Sequence, residues 1–331
     1  MSHLKDTDYL ALSSRLHVLE TRLLGAERME RMIEARDGAE AAKVLTECGY
    51  AELSEVSAAG LENCLGAAQA ELFRDLGKSL PDPGILTVFQ IKYDYHNAKA
   101  LVKARARGTD PAPLMVGGGR YDPAQLREDF RGEKLEQYPE PFRAAIARAS
   151  EALSSTGDPQ LCDFILDKVC YAELSQAAKG TKSKLLMGYV ALMTDAANLR
   201  AAVRAARLGK DGSFLKDALL PGGNVDPAAL ASANREELAA LFQGGPLAQA
   251  AQAGAALAVP GGAPLTQFEK LCDDAVTGYM LPAKRVPFGE EVAIGYLYAR
   301  ETELTAIRTI MSGRLAGQSG DVIRSRLRSP Y

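Results

Sequence analysis

The sequence predicts an all-α protein, and three observations carry that prediction. The chain has no tryptophan and only 6% aromatic residues, set beside abundant Ala, Leu, Arg and Glu, all good helix formers. Runs such as "YLALSSRLHVLETRLLGAERMERMIEA" (9–35) and "ELTAIRTIMSGRL" (303–315) repeat apolar residues every three or four positions, the period of one helix face. Alternation of apolar and polar residues, the mark of a half-buried strand, is scarce.

At 331 residues and 47% hydrophobic content the chain can fill the cores of two or three domains. Its formal net charge is −3, so no global basic field draws it onto nucleic acid or an anionic bilayer. The opening "MSHLKDTDYLALSSRL" lacks the basic and apolar regions of a signal peptide, and no apolar run is long enough to span a membrane. We read a soluble, unexported chain. The five cysteines (Cys48, Cys64, Cys162, Cys170, Cys272) contain no CxxC pair and are odd in number, which fits buried thiols better than a zinc site or a disulfide framework.

Internal periodicity organises the rest. "DYHNAKALVKARARG" (94–108), "DAANLRAAVRAARLG" (195–209) and "ELTAIRTIMSGRLAG" (303–317) all read acid, four residues, base, eight residues, glycine. The acids are Asp94, Asp195 and Glu303, the bases Lys99, Arg200 and Arg308, and the glycines Gly108, Gly209 and Gly317. Composition alone supplies roughly half of one such match, so the pattern needs a second witness. "GGRYDPAQL" (118–126) and "GGNVDPAAL" (222–230) provide it, sharing Gly-Gly, Asp-Pro-Ala and Leu at the same offsets, each downstream of a copy of the first motif. Three helical units follow: 1–110, 111–215 and 216–331, each of an ordinary domain size.

Each motif has a local reading. Gly108, Gly209 and Gly317 follow helical runs with basic residues in the last turn, as left-handed C′ glycines do. Asp122-Pro123 and Asp226-Pro227 are N-cap and N1 signals for the next helix. Acid and base five positions apart lie about 140° apart around a helix, so neither serves the other. Asp94, Lys99, Asp195, Arg200, Glu303 and Arg308 therefore either bridge between units or face a shared central surface.

The stretch "KYDYHNAKALVKARARG" (92–108) tempts a catalytic reading built on Tyr93, Asp94 and His96. In the other copies His96 is replaced by Ala197 and Thr305, and Tyr93 by Thr194 and Thr302, which gives no reason to expect a site. Lys99 and Lys103 form only a short basic stripe near a helix end, too local for nucleic acid. "GTKSK" (180–184) lacks the first glycine of a phosphate loop, since Ser175 stands there, and is read as a loop. "GGG" (117–119) fails the dinucleotide spacing because Asp122 occupies its last position. The histidines His3, His17 and His96 are too scattered for ligand spacing. No catalytic residue, cofactor or metal is expected. "GGPLAQAAQAGAALAVPGGAP" (244–264) reads as a tolerant surface insertion around a short Ala-rich helix.

The segments "ILTVFQIKYDYHNAKALVKARARG", "KSKLLMGYVALMTDAANLRAAVRAARLGKDGSFLKDALLPGGNVD" and "VPFGEEVAIGYLYARETELTAIRTIMSGRLAG" resemble the C subunit of the prokaryotic V-type (A/V-type) ATPase, the relative of the d subunit of the eukaryotic V-ATPase. The opening helices, with "RLHVLETRLLGAERMERMIEARDGAEAAKVLTECGY", are similar too, so the resemblance runs from about residue 9 to 328. It implies a funnel of three similar helical domains, a non-catalytic rotor component on the cytoplasmic face of the membrane. Its mouth would receive the central shaft, built of the D and F subunits, and its base would meet the cytoplasmic loops of the membrane rotor ring. When isolated it should be a monomer. The Gly/Ala/Pro-rich segment after residue 243 is the departure from the resemblance, which leaves the local geometry of the third unit open. The alternative from another class is a helical-repeat adaptor that binds protein or nucleic acid in a concave face.

Overall fold

In a computed structural model, residues 4–331 form sixteen α-helices and three short 3-10 turns, with no strand among the described residues. His3 lies outside the described residues. The chain divides into two compact units, one formed by the segment up to Pro83 together with Arg235–Tyr331, the other by Gly84–Asn234.

The first unit opens with α1 (Leu10–Glu20), α2 (Ala26–Glu34), α3 (Gly38–Glu47) and α4 (Ala58–Ser79). The second holds α5 (Pro83–Arg107), α6 (Pro123–Arg131), α7 (Glu140–Thr156), α8 (Pro159–Thr181), α9 (Lys184–Arg207), α10 (Gly212–Ala218) and α11 (Pro227–Ser232). The chain then completes the first unit with α12 (Arg235–Leu241), α13 (Ala248–Leu257), α14 (Thr266–Met280), α15 (Glu290–Leu315) and α16 (Gly320–Arg326).

The three motif-bearing helices are the longest of their surroundings and the most enclosed. α5 buries 13 of its 25 residues, α9 12 of 24 and α15 14 of 26, so each is central to its unit and not a one-sided surface helix. In the first unit the core gathers on the second half of α15: Leu304, Ile307, Ile310 and Met311 meet Met32 and Ile33 of α2, Leu45 of α3, Leu61 and Leu65 of α4, and Ile323 of α16. Short polar side chains start eight of the helices, the central α9 among them. Asp37, Ser57, Asp122, Asp158, Ser183, Asp211, Asp226 and Ser319 each accept an N-terminal N–H of the helix they precede.

The helix ends repeat as the glycines require. Gly108, Gly209 and Gly317 have φ of 66°, 64° and 65°. In each case the glycine N–H bonds the carbonyl three residues back and the next N–H bonds the carbonyl five back: Thr109 to Ala104, Lys210 to Ala205, Gln318 to Gly313. This Schellman arrangement caps orphan carbonyls and stops the helix. The loop expected at "GTKSK" shrinks to Lys182 and Ser183 between α8 and α9, with Lys182 left-handed at φ 60°.

The expectation for 244–264 is corrected in part. Its middle is the helix α13, but Ala250 and Ala251 are 1% and 0% exposed and Gly254 is buried, so one face of this helix packs into the core against α12 and α14 while the flanking Gly/Pro residues stay largely at the surface. Arg235 of α12 donates its Nε to the Ala255 carbonyl at 2.6 Å and closes the end of α13. Alanine composition does not distinguish a loose helix from one whose small side chains admit close neighbours.

Ala251→Leu tests this directly. Overpacking a closed site should cost about 1–3 kcal/mol in urea unfolding, where a surface insertion would lose almost nothing.

Candidate functional site: three buried acids

On α5, Asp94 and Asn97 stand three residues apart on one face and both reach the loop that precedes α6. Asp94 Oδ1 accepts the N–H groups of Arg120 (2.9 Å) and Tyr121 (3.3 Å), and Oδ2 accepts Arg120 Nε (2.6 Å). Asn97 donates to the Val116 carbonyl and accepts the Val116 N–H, both at 2.9 Å. A strand would satisfy this loop through another main chain; here two side chains do so. The two glycines have different tasks. Gly118 is left-handed at φ 92°, whereas a Cβ on Gly119 would lie 2.3 Å from Asp94 Oδ1. Asp122 then caps α6 by accepting the Gln125 N–H at 2.9 Å, with Pro123 at N1.

The second copy repeats the latch residue for residue in its main-chain bonds. Asp195 accepts the N–H groups of Asn224 (3.0 Å) and Val225 (3.1 Å), and Asn198 exchanges two bonds with Leu220, at 2.8 and 2.9 Å. Gly222 has φ 95°, and a Cβ on Gly223 would lie 2.1 Å from Asp195 Oδ1. The repeated Gly-Gly-x-x-Asp-Pro is thus the receiving half of a device whose other half is Asp-x-x-Asn. Sequence reasoning missed the asparagines, although Asn97 and Asn198 stand at the same offset from the acids.

The third acid has neither partner motif. Ala306 replaces the asparagine, and the receiving loop comes from the other end of the chain. Glu303 Oε1 accepts the Leu24 N–H at 2.7 Å, and Oε2 accepts the Tyr50 hydroxyl at 2.8 Å and the guanidinium of Arg300. Leu24 immediately precedes Gly25, the N-cap of α2, as Tyr121 precedes Asp122 and Val225 precedes Asp226. All three acids therefore hold the residue one before an N-cap, and in the third case the sequence order is permuted.

All three acids are buried, at 0%, 3% and 4% exposure, so none presents its carboxylate on a surface. Their charge is met differently. Asp94 faces Arg120, which also binds Glu173 at 2.5 Å, while Tyr95 donates to the other Glu173 oxygen at 2.8 Å. Burial pushes Asp94 up to about 6, against the opposing pull of Arg120 and the two loop N–H groups. Burial, and then the neighbouring Glu173 and Glu303 respectively, raise the Tyr95 and Tyr50 hydroxyls, keeping both protonated as donors. The donors to Asp195 are neutral: two main-chain groups and the Asn224 amide.

The bases lie outside the latches. Lys99 binds Asp167 of α8 at 2.6 Å and Arg308 binds Glu62 of α4 at 2.9 Å, each joining a central helix to its neighbour. Arg200 is half-buried on α9. His96 is exposed and its Nε2 meets the Leu114 carbonyl at 2.9 Å, far around the helix from the buried Asp94 carboxylate, so Tyr93, Asp94 and His96 do not converge. His17 pairs with Glu20 and the Pro287 carbonyl. Among the described residues no His, Cys, Asp and Glu group has the arrangement of a metal site, and no helix is long and apolar enough to cross a membrane. What the acids can do chemically is hold main chain.

The family model for the ATP synthase (C/AC39) subunit matches residues 12–326. The chain is 21% identical over 325 residues to the C subunit of the V-type sodium ATPase of Enterococcus hirae, covering 98% of this chain and 99% of that one. It is 23% identical over 334 residues to the C subunit of the A-type ATP synthase of Pyrococcus horikoshii, covering 92% and 86%. With the C subunit of the V-type ATP synthase of Thermus thermophilus it shares 26% identity over 223 residues, 63% of this chain and 67% of that protein.

Two outcomes are expected of the latches. Gly119→Ala and Gly223→Ala should each cost about 1–3 kcal/mol in urea unfolding, since the new methyl competes with a carboxylate oxygen for the same space. Losses below about 0.5 kcal/mol, within the range of an ordinary surface change, would mean that the loop yields freely. The second outcome concerns pH. Because Asp94 binds its proton more tightly folded than unfolded, stability relative to Asp94→Asn should rise as pH falls from 7 through 6 towards 4, by up to about 3 kcal/mol. Parallel urea titrations of the two proteins across that range measure it, and a flat difference refutes it.

Proposed function

The chain belongs to the ATP synthase (C/AC39) subunit family, and on that premise we propose that it is a non-catalytic rotor component of a V/A-type rotary ATPase, a socket that couples the central shaft to the membrane rotor ring. In this reading three helical units, 1–110, 111–215 and 216–331, form a funnel on the cytoplasmic face. Its mouth takes the foot of the D and F shaft subunits, its base meets the cytoplasmic loops of the ring, and it turns with both.

One observation supports the mechanical part more than any other. Each central helix is tied through a buried acid to the backbone that starts another helix. A socket must return torque without yielding, and close-packed helices deform little. Side-chain pairs on a wet surface can exchange partners, whereas a buried carboxylate facing two main-chain donors has no alternative partner nearby. Asp94, Asp195 and Glu303 serve as internal ties. Lys99 and Arg308 are then polar residues that bridge between repeats, and shaft contact falls to other, exposed side chains.

The test is light scattering on a sizing column after mixing the purified chain with the D and F subunits of its own source. A stable complex containing all three proteins is expected. Elution of the chain alone at concentrations of tens of micromolar would refute the socket. Lys99→Glu should leave complex formation intact, because Lys99 is already engaged by Asp167 of α8. Loss of the complex at unchanged melting temperature would make Lys99 a shaft contact instead.

A further inference from the structure

Residues after α16 leave helical geometry at Leu327 (φ −68°, ψ 143°) and run as an extended strap over the first unit. Three anchors hold it. Arg328 Nε binds Asp273 Oδ2 of α14 at 2.5 Å, and the Ser329 N–H donates to Asp274 Oδ1 at 2.8 Å. Three residues after the arginine, the Tyr331 ring enters a notch. It meets the Tyr298 ring edge-on at 5.6 Å between centroids, and Lys284 Nζ stands 5.8 Å over its face and 3.4 Å from its main-chain oxygen.

The floor of that notch is Gly295 of α15. A Cβ there would lie 2.3 Å from the Tyr331 hydroxyl, 3.1 Å from the Ala283 Cβ and 3.4 Å from the Tyr331 Cζ. Gly295 has helical φ, so nothing in its own backbone requires glycine; the space taken by the tyrosine does. The hydroxyl itself is buried and makes no hydrogen bond.

Two features separate strap from notch. Every wall of the notch is supplied by helical residues: Gly295 and Tyr298 of α15, Ala283 and Lys284 of the 3-10 turn Leu281–Arg285, with Tyr298 fixed independently by a 2.8 Å bond between its hydroxyl and that of Thr277. The strap, in contrast, belongs to no helix, and Ser329 and Pro330 are exposed. Walls set by helices, filled by a segment that belongs to none of them, are the features of a ligand site filled in cis.

We propose that residues 327–331 are an exchangeable ligand of this notch, which recognises an extended segment carrying an arginine three positions ahead of an aromatic ring, with Asp273 and Asp274 reading the basic and main-chain donors and Gly295 admitting the ring. The occupant is the chain's own strap. Tethering gives it an effective concentration of order millimolar, so it masks the site from the same segment supplied in solution. This inference stands apart from the rotor reading.

The test uses the 331-residue chain and a fluorescent peptide of residues 324–331, followed by anisotropy. A variant with Arg328→Ala and Tyr331→Ala, which disarms the strap, should bind the peptide saturably and at least tenfold more tightly than the unaltered chain does. The peptide with alanine in place of its tyrosine should not bind. Equal binding to both proteins, or none to the disarmed variant, overturns the proposal. Gly295→Ala in the otherwise unaltered chain gives a second route should the disarmed variant fail to fold. Its methyl group excludes the hydroxyl and the strap with it, so a peptide with phenylalanine in place of tyrosine should bind at least tenfold more tightly than the tyrosine peptide. No preference between the two would place Tyr331 outside the notch in solution and sink the idea.

Discussion

A carboxylate enclosed in a helical core must be met by donors, because an unpaired buried charge costs several kcal/mol. In this protein the donors are main-chain N–H groups of the segments that start other helices. The rest of the architecture follows from satisfying that demand. A loop that gives two N–H groups to one acid has to turn sharply and approach closely, which explains one glycine with positive φ and a second with no room for a side chain at Gly118-Gly119 and again at Gly222-Gly223. Having come so close, the loop has its direction fixed, and Asp122 or Asp226 starts a helix at once with proline behind it.

The three acids meet one demand with different chemistry. Asp94 lies in an ionic network with Arg120 and Glu173, Asp195 relies on neutral donors, and Glu303 combines a main-chain group, a phenol and an arginine of its own helix. The longer side chain of Glu303 suits a receiving segment that brings no glycine pair and no second anchor. Main-chain geometry is thus common to the copies, while the balancing of charge is local to each. Replacing either half of a latch alone leaves an unmet donor or an unmet charge, and that asymmetry holds the two halves together.

In this member of a rotary-ATPase subunit family the arrangement stiffens the central helices. The central helices are enclosed on most sides, capped at their ends by Schellman turns, and tied near mid-length to the main chain of other helices. Bending such a helix would break buried bonds for which no water waits. The exposed surface is left free to carry recognition, as loops and straps on rigid scaffolds commonly do.

Much of this is legible in the sequence. Helical class, the C′ glycines, the N-cap aspartates before proline and the recurrence of acid, base and glycine all depend on neighbours within a turn or two, and local sequence determines local geometry. The partnership of Asp94 with Gly119 and Arg120 is half legible, since both motifs repeat but nothing in one chain says that they touch. Three matters were decided only in three dimensions. Glu303 holds Leu24 from 279 positions away because the first helices fold back onto the last, and no local pattern encodes that return. Lys99 and Arg308 find carboxylates on other helices because helix packing, and not spacing, chooses the partners of a half-buried charge. One face of the Ala-rich helix became core because its small side chains let α12 and α14 pack closely against it, and only the packing shows which face that is.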